Sequence, residues 1–167
     1  MTRPASSLGQ LLEKKRKSQR PSWDEYFMQV ANVVKSRSTC LSSAKGAVLV
    51  SGRQIISTGY NGTPAGTKHC DEGGCARCLA VKEGRLKSGM NLEACACCHA
   101  EENAIVQAAK NGIPTAGATL YSTHSPCTYC SKMIINAGIK KVVASTAYPD
   151  QLGVRLMKEA GLQLLIL

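Results

Sequence analysis

The sequence predicts an α/β protein: a three-layer α/β/α sandwich around a mixed five-stranded sheet. Three observations predict it. Apolar residues recur at helical spacing in one set of segments, and short β-rich runs alternate with them. Two strand-like runs near residues 46–59 are separated only by Ser51-Gly52-Arg53, which reads as a hairpin turn. The order along the chain is then helix, hairpin, loop, helix, strand, helix, strand, helix, strand.

Each element has a local reason. Ser22 is an N-cap candidate, and Trp23, Tyr26, Phe27, Val30, Val33 and Val34 follow at helical spacing. Gly46–Val50 and Gln54–Gly59 are the arms of the hairpin. Residues 60–95 are rich in Gly, Cys, Pro, Lys and Asp and read as one long loop. Such a loop is unusual in a compact domain, and metal binding by its cysteines would supply the ordering energy that a missing core cannot. His99–Asn111 reads as a helix with Ala100, Ala104, Ile105, Ala108 and Ala109 on its small or apolar face, ended by Gly112 with Pro114 beyond. Ala118–Ser122 is a strand, and a helix opens at Ser125-Pro126, runs through Asn136 and stops at Gly138. Lys140–Ser145 is a strand, residues 151–160 a helix, and Leu162–Leu167 the last strand.

With 167 residues the chain has the size of one domain. A chain of that length buries roughly 70% of its unfolded surface, so it needs no cysteines merely to replace a core. Apolar residues make up 44%, as in soluble globular proteins. No apolar run approaches the roughly 18–20 residues of a membrane span. Met1–Gly9 lacks the features of a signal peptide, and a cytoplasmic location is expected. In a reducing compartment nine cysteines point to metal ligands or catalytic groups rather than disulfides.

The net charge of +10 is unevenly spread. Residues 1–20 carry Arg3, Lys14, Lys15, Arg16, Lys17 and Arg20 against Glu13. They read as a basic, solvated arm, or as a short helix at Leu8–Lys17, preceding a single domain over residues 21–167. An anionic partner fits this charge, but nucleic acid, nucleotide phosphates and solubility alone all fit it.

Two motifs open two consecutive candidate helices: His99-Ala100-Glu101 and Pro126-Cys127-Thr128-Tyr129-Cys130. A catalytic zinc takes three protein ligands and leaves a fourth position open, and His99, Cys127 and Cys130 meet that count. A helix N-terminus favours the thiolate form of Cys127 and Cys130. Glu101, two residues past His99, is free to carry protons between water, a ring nitrogen and a leaving amine. Zinc acidifies water towards neutral pH. His-x-Glu followed by Pro-Cys-x-x-Cys is therefore the donor set of hydrolytic base deamination. A lone Cys-x-x-Cys also fits a structural half-site or a redox pair; the two motifs together are far more specific.

The chain also carries Trp23-Asp24-x-Tyr26-Phe27-Met28, Ser36-Arg37-Ser38-x-Cys40, Gly59-Tyr60-Asn61-Gly62-Thr63-Pro64, Gly73-Gly74-Cys75-x-Arg77-Cys78 and Cys95-x-Cys97-x-His99-Ala100-Glu101-Glu102-Asn103. From about Trp23 onward it resembles the deoxycytidylate (dCMP) deaminases of the cytidine deaminase superfamily, most of all the fungal and large-DNA-virus members. The resemblance implies a cytidine deaminase-like fold. It also implies a catalytic zinc on His99, Cys127 and Cys130, with Glu101 as proton shuttle, and conversion of dCMP to dUMP for thymidylate synthesis. It implies substrate contacts at Asn61, Ala100, Ser125 and Tyr148. Gly59, Tyr60, Asn61 and Gly62 match an allosteric nucleotide site where dCTP activates and dTTP inhibits; from turn chemistry alone Asn61-Gly62 is a plain turn. A hexamer is implied as well.

The resemblance further implies a structural zinc in a cysteine-rich insert at about residues 68–98. Cys40, Cys70 and Cys97 match its ligands in phage members, and a fourth must come from Cys75, Cys78 or Cys95. Six thiols exceed the need of one site, leaving room for a spare thiol or a second metal. Cys98 is expected to be a buried hydrophobe beside His99. His124 is read as structural, with substrate contact as the alternative, and Lys45 is a candidate phosphate ligand.

Other functions share the zinc motif. A tRNA adenosine deaminase would grip RNA with the basic arm, but one Trp, one Phe and five Tyr are few for a base-stacking surface. A deaminase acting on dCTP as well as dCMP is a second alternative. A non-catalytic zinc module is a third, and it has no need of Glu101.

Overall fold

A computed structural model of the protein describes residues 20–167. The expected basic arm and the Leu8–Lys17 helix lie outside the described residues, apart from the exposed Arg20.

Helix α1 (Trp23–Lys35) starts where Ser22 predicts. Glu25 N–H donates to the Ser22 hydroxyl, and the Ser22 N–H donates to the Glu25 carboxylate at 2.7 Å, closing a capping box. The hairpin follows as β1 (Gly46–Ser51) and β2 (Gln54–Tyr60). Its turn places both Gly52 and Arg53 at positive φ, 55° and 65°, the backbone that matches a right-handed strand twist.

Residues 61–99 hold more regular structure than the expected loop. A seven-residue helix α2 (Ala76–Lys82) stands between single 3₁₀ turns at Cys70–Glu72 and Leu92–Ala94. Its period was masked in the sequence because its inward residues are Arg77 and Cys78 rather than aliphatic side chains. The remaining elements are α3 (Ala100–Lys110), β3 (Thr119–Ser122), α4 (Thr128–Asn136), β4 (Lys141–Ala144), α5 (Gln151–Glu159) and β5 (Gln163–Ile166). Helix α4 starts later than the sequence suggests. Ser125 precedes a proline, which disfavours helical backbone, and Cys127 is the extended N-cap at φ −72°, ψ 170°.

The strands form one mixed sheet in the order β2-β1-β3-β4-β5. β1 pairs antiparallel with both β2 and β3, while β3–β4 and β4–β5 are parallel. Strand alternation divides the core between two faces. Val48, Val50, Tyr121 and Val143 pack under Phe27, Met28 and Ala31 of α1. Ala47, Leu49, Leu120 and Val142 pack under Ala100, Ala104 and Ala108 of α3, Ile134 of α4 and Met157 of α5. The three layers are thus α1, the sheet, and α3 with α4 and α5. No helix among the described residues is long and apolar enough to cross a membrane.

Two contacts set where α3 sits. A Cβ on Gly59 would lie 2.2 Å from the Ala100 carbonyl oxygen and 2.4 Å from the Ala104 nitrogen, so only glycine lets β2 approach the start of α3 this closely. The Ser57 hydroxyl donates to the Ala104 carbonyl at 2.8 Å.

Candidate metal centre and catalytic pocket

The two motifs meet at the N-termini of α3 and α4. His99 and Cys127 are the N-caps of these helices, and Cys130 lies one turn inside α4. His99 is fixed by its own N–H, which donates to the Glu102 carboxylate at 3.1 Å. Its Nδ1 lies 3.4 Å from Cys127 Sγ and 3.4 Å from Cys130 Sγ. Tetrahedral zinc with Zn–S near 2.3 Å and Zn–N near 2.0–2.1 Å gives an N···S edge of about 3.6 Å. The three donors fit a metal of that size and supply only three of four positions. His99 is pushed up to about 9 by its hydrogen bond to Cys127, and Cys127 is held down at about 4 by the Cys130 thiol and by His99. The site therefore already favours a thiolate at Cys127.

Glu101 stands beside this group and outside it. It is buried, its Oε1 accepts from the Ser122 hydroxyl at 2.9 Å, and its Oε2 lies 3.9 Å from Cys130 Sγ. Burial pushes its carboxyl above the ordinary carboxylate value, the setting of a proton carrier rather than of a permanent charge.

The trio and Glu101 line a cavity of about 330 Å³, and all four expected substrate residues, Asn61, Ala100, Ser125 and Tyr148, line it too. Ser125 is tied by accepting from the Tyr148 N–H at 2.6 Å. Asn61 is an anchor of the wall: its Oδ1 accepts from the Ser38 hydroxyl and the Lys45 N–H, both at 2.7 Å, and its Nδ2 donates to the Ser43 carbonyl at 2.8 Å. One Nδ2 proton remains for a ligand.

The Gly59–Gly62 segment is not a tight turn. Tyr60 ends β2, and Gly62 exchanges backbone hydrogen bonds with Cys98 at 3.2 and 2.9 Å. Gly59 is buried behind α3, Tyr60 is exposed, and of the four only Asn61 lines the cavity. Cys98 is half-buried rather than buried, and its backbone, not its thiol, carries this contact.

Lys45 and His124 line the same cavity, with Lys45 Nζ 2.6 Å from His124 Nε2. Burial and the nearby lysines hold the imidazole below its ordinary value. It is thus neutral near pH 7, and Nε2 can accept from the ammonium. Sequence reasoning missed two residues. Arg77 lines the cavity, is buried, and has an Nη2 without a partner among the described residues. Asp150 caps α5 by accepting from Gly153 N–H at 3.0 Å, and also accepts from the N–H and hydroxyl of Thr128, both at 2.6 Å. The Asp150 cap was readable before the last helix; its grip on the residue after Cys127 is tertiary and was not.

Cys40 and the insert cysteines cluster together, and Cys40, Cys78, Cys95 and Cys97 line the cavity. Cys70, Cys75, Cys78 and Cys97 are buried together, with Cys40 and Cys95 against them. Cys40, Cys70, Cys78 and Cys97 form one group of mutually close donors, and Cys75, Cys78, Cys95 and Cys97 form another. Cys97 donates to Cys40 and Cys95 and holds their thiols down at about 5 and about 4.

The chain is similar to known proteins. The family model described as the cytidine and deoxycytidylate deaminase zinc-binding region matches residues 21–146. A deoxycytidylate deaminase of Schizosaccharomyces pombe is 44% identical over 146 residues, 87% of this chain, which spans only 44% of that protein's length. The deoxycytidylate deaminase of Mycobacterium phage D29 is 40% identical over 79% of this chain and 98% of its own. The dCMP deaminase of cyanophage S-TIM5, solved in complex with dCMP and dUMP, superposes with a TM-score of 0.71 at 32% identity, covering 89% of this chain and 99% of that one. With the His-Ala-Glu and Pro-Cys-x-x-Cys elements meeting in one pocket, the chain belongs to the cytidine and deoxycytidylate deaminase family.

Proposed function

We propose that this protein is a zinc-dependent deaminase that converts dCMP to dUMP and ammonia, supplying dUMP for thymidylate synthesis. One observation carries the reading: a buried Glu101, its carboxyl raised above the ordinary value by burial, stands beside a three-donor metal site in the wall of a nucleotide-sized cavity. Residues 21–167 act as the deaminase domain, with the insert at about 68–98 as one wall of its pocket.

His99, Cys127 and Cys130 would hold the zinc. When bound, zinc supplies the Lewis acidity that makes water a nucleophile near neutral pH. Ser122 fixes Oε1 of Glu101, leaving Oε2 to move protons. Glu101 takes a proton from the attacking water and passes it to the ring nitrogen, then carries the second proton from the new C4 hydroxyl to the departing amine, leaving the C4 carbonyl. A C4–O bond forms, the C4–N bond breaks, and ammonia leaves. Ala100, Ser125 and Tyr148 enclose the base and exclude bulk water. Lys45, its partner His124 and the unpartnered Nη2 of Arg77 form the anion-binding end, and the free Nδ2 proton of Asn61 faces the sugar and phosphate.

The expected regulation by dCTP and dTTP acts through Gly59, Tyr60, Asn61 and Gly62. It is supported by their position, since Gly59 touches the residue before Glu101 and Asn61 lines the pocket. Assembly into a hexamer is supported by Trp23, Tyr26 and Val33, which leave α1 with a large apolar surface. Nine free thiols are in keeping with a cytoplasmic enzyme.

Ammonia release is to be measured with dCMP, dCTP, deoxycytidine and a tRNA anticodon stem side by side. Turnover of dCMP far above the nucleoside and the RNA is expected. Equal turnover of dCTP would make the enzyme bifunctional. Turnover of RNA alone would refute the nucleotide reading, and turnover of nothing would leave a zinc module.

A further inference from the structure

We propose that the insert holds a binuclear metal–thiolate cluster: two divalent cations of the zinc class, each in a four-sulfur tetrahedron, with Cys78 and Cys97 bridging both.

The two donor groups of the insert are each complete with four sulfurs, and they share two members. Cys40 and Cys70 are terminal on one side, Cys75 and Cys95 on the other, and Cys78 and Cys97 belong to both. Two tetrahedra that share an edge need six ligands of which two bridge. Six is also the number of cysteines gathered here.

The distances agree. Cys78 Sγ lies 3.7 Å from Cys40, 3.8 Å from Cys95 and 3.9 Å from Cys97. The S···S edge of a zinc tetrahedron is about 3.8 Å. Cys78 thus stands at edge distance from a terminal sulfur of each group and from the other bridge. Thiols buried only as small hydrophobes have no reason to keep one spacing to three neighbours.

The backbone is arranged for thiolates on both sides. The Leu41 N–H donates to Cys70 Sγ at 3.4 Å, and the Ala96 N–H donates to Cys75 Sγ at 3.4 Å. Each group has one terminal sulfur so served. Cys70 and Cys75 are brought to opposite sides by Gly73 and Gly74. Gly73 has φ +90°, and a Cβ on Gly74 would lie 1.9 Å from the Lys68 carbonyl oxygen. A single metal in either group would leave two thiols buried or half-buried against bound thiolates, without a purpose for the second amide donor.

On loading, six thiols release six protons to solvent and two dications enter, leaving a cluster of charge −2. No oxidant or reductant is involved. The two metals would lie roughly 3 Å apart, since they share an edge.

The test is metal analysis and X-ray absorption at the zinc edge on the intact wild-type protein. The expected result is three zinc ions per chain and a zinc–zinc shell at short range, beyond an average sulfur-rich first shell. Two zinc ions per chain with no metal–metal shell would overturn the proposal. Cys70→Ala and Cys75→Ala should each cost one metal; if either is silent, the site is mononuclear. Should those variants not fold, the wild-type count and the metal–metal shell decide alone. Cys127→Ala should lose one zinc and keep the metal–metal shell. An unchanged count in that variant would instead strike the proposed catalytic site, so the two readings fail separately.

Discussion

Asp150→Ala tests whether the catalytic metal site depends on a carboxylate outside it. One Asp150 oxygen accepts from Thr128 N–H at 2.6 Å; the other accepts from the Thr128 hydroxyl at 2.6 Å and from Gly153 N–H at 3.0 Å. It thereby caps α5 and holds the first turn of α4 directly after Cys127. An N-cap is worth about 1 kcal/mol, and a hydrogen bond to a charged group about 1.5–3 kcal/mol. Asp150 is half-buried, so part of each is recovered from water, and a total loss of about 2–3 kcal/mol is expected. Support residues around a metal typically change its affinity about 10–100-fold, and the same is expected here for the zinc of His99, Cys127 and Cys130. Urea unfolding and competition with a chelator measure the two effects. The stability effect carries a pH signature. Burial raises the Asp150 carboxyl, but the bonds from Thr128 and Gly153 outweigh it and hold it below its ordinary value of 3.8. A lowered carboxyl stabilises the fold fully above the unfolded value and loses that contribution as pH falls through the folded one. The gap between wild type and variant should therefore be flat above about pH 5 and shrink below about pH 4. A variant within about 0.5 kcal/mol of wild type, with unchanged zinc retention, would refute the reasoning.

Glu101→Gln should keep its zinc and lose about 10²–10⁴-fold in turnover; retained activity would sink the proposed proton path. Ser122→Ala leaves Glu101 Oε1 without its donor, and should lower kcat with KM little changed while costing about 1–3 kcal/mol in stability. Lys45→Met keeps the backbone bond to Asn61 and the bulk of the side chain but removes the ammonium; KM for dCMP should rise about 10-fold or more while deoxycytidine is unaffected, and equal loss on both would remove Lys45 from the phosphate end. Gly59→Ala drives a Cβ to 2.2 Å from the Ala100 carbonyl, and thermal unfolding should show a loss of at least about 3 kcal/mol.

What the sequence made legible follows the range of the forces involved. The Ser22 cap, the hairpin and the helices near His99 and Pro126 rest on contacts within a few residues, and they appear within one to three positions of where the sequence puts them. A mixed five-stranded sheet followed from element order because hairpins and crossovers leave few alternatives. The metal trio was legible because ligand chemistry restricts residue type as well as spacing. Three things were not. Helix α2 turns Arg77 and Cys78 inward, so its aliphatic residues do not mark its buried face. Arg77 and Asp150 act on partners 13 and 22 residues away in sequence, and no local signal marks those tertiary contacts. Asn61 was picked out by motif for its ligand contact, whereas most of its hydrogen-bonding capacity holds the 38–45 segment in place.

On the proposed metal binding, the cysteine-rich insert is a core made of metal ligands instead of hydrocarbon. Its buried cluster contains four cysteines and, around them, only Leu41 among aliphatic residues. Apolar burial on that scale does not offset the conformational entropy of ordering some thirty residues at about 1–2 kcal/mol each. Metal–thiolate bonds would add on the order of 10 kcal/mol or more per ion to that burial. The arrangement has a functional reason. Cys97 lies two residues before His99, and Cys40, Cys78, Cys95 and Cys97 line the same cavity as Glu101. A wall of flexible aliphatic side chains could shift under a charged ligand. With metal bound as proposed, metal–sulfur bonds would fix the backbone leading into His99, and with it the distance between Glu101 and the base it is proposed to protonate.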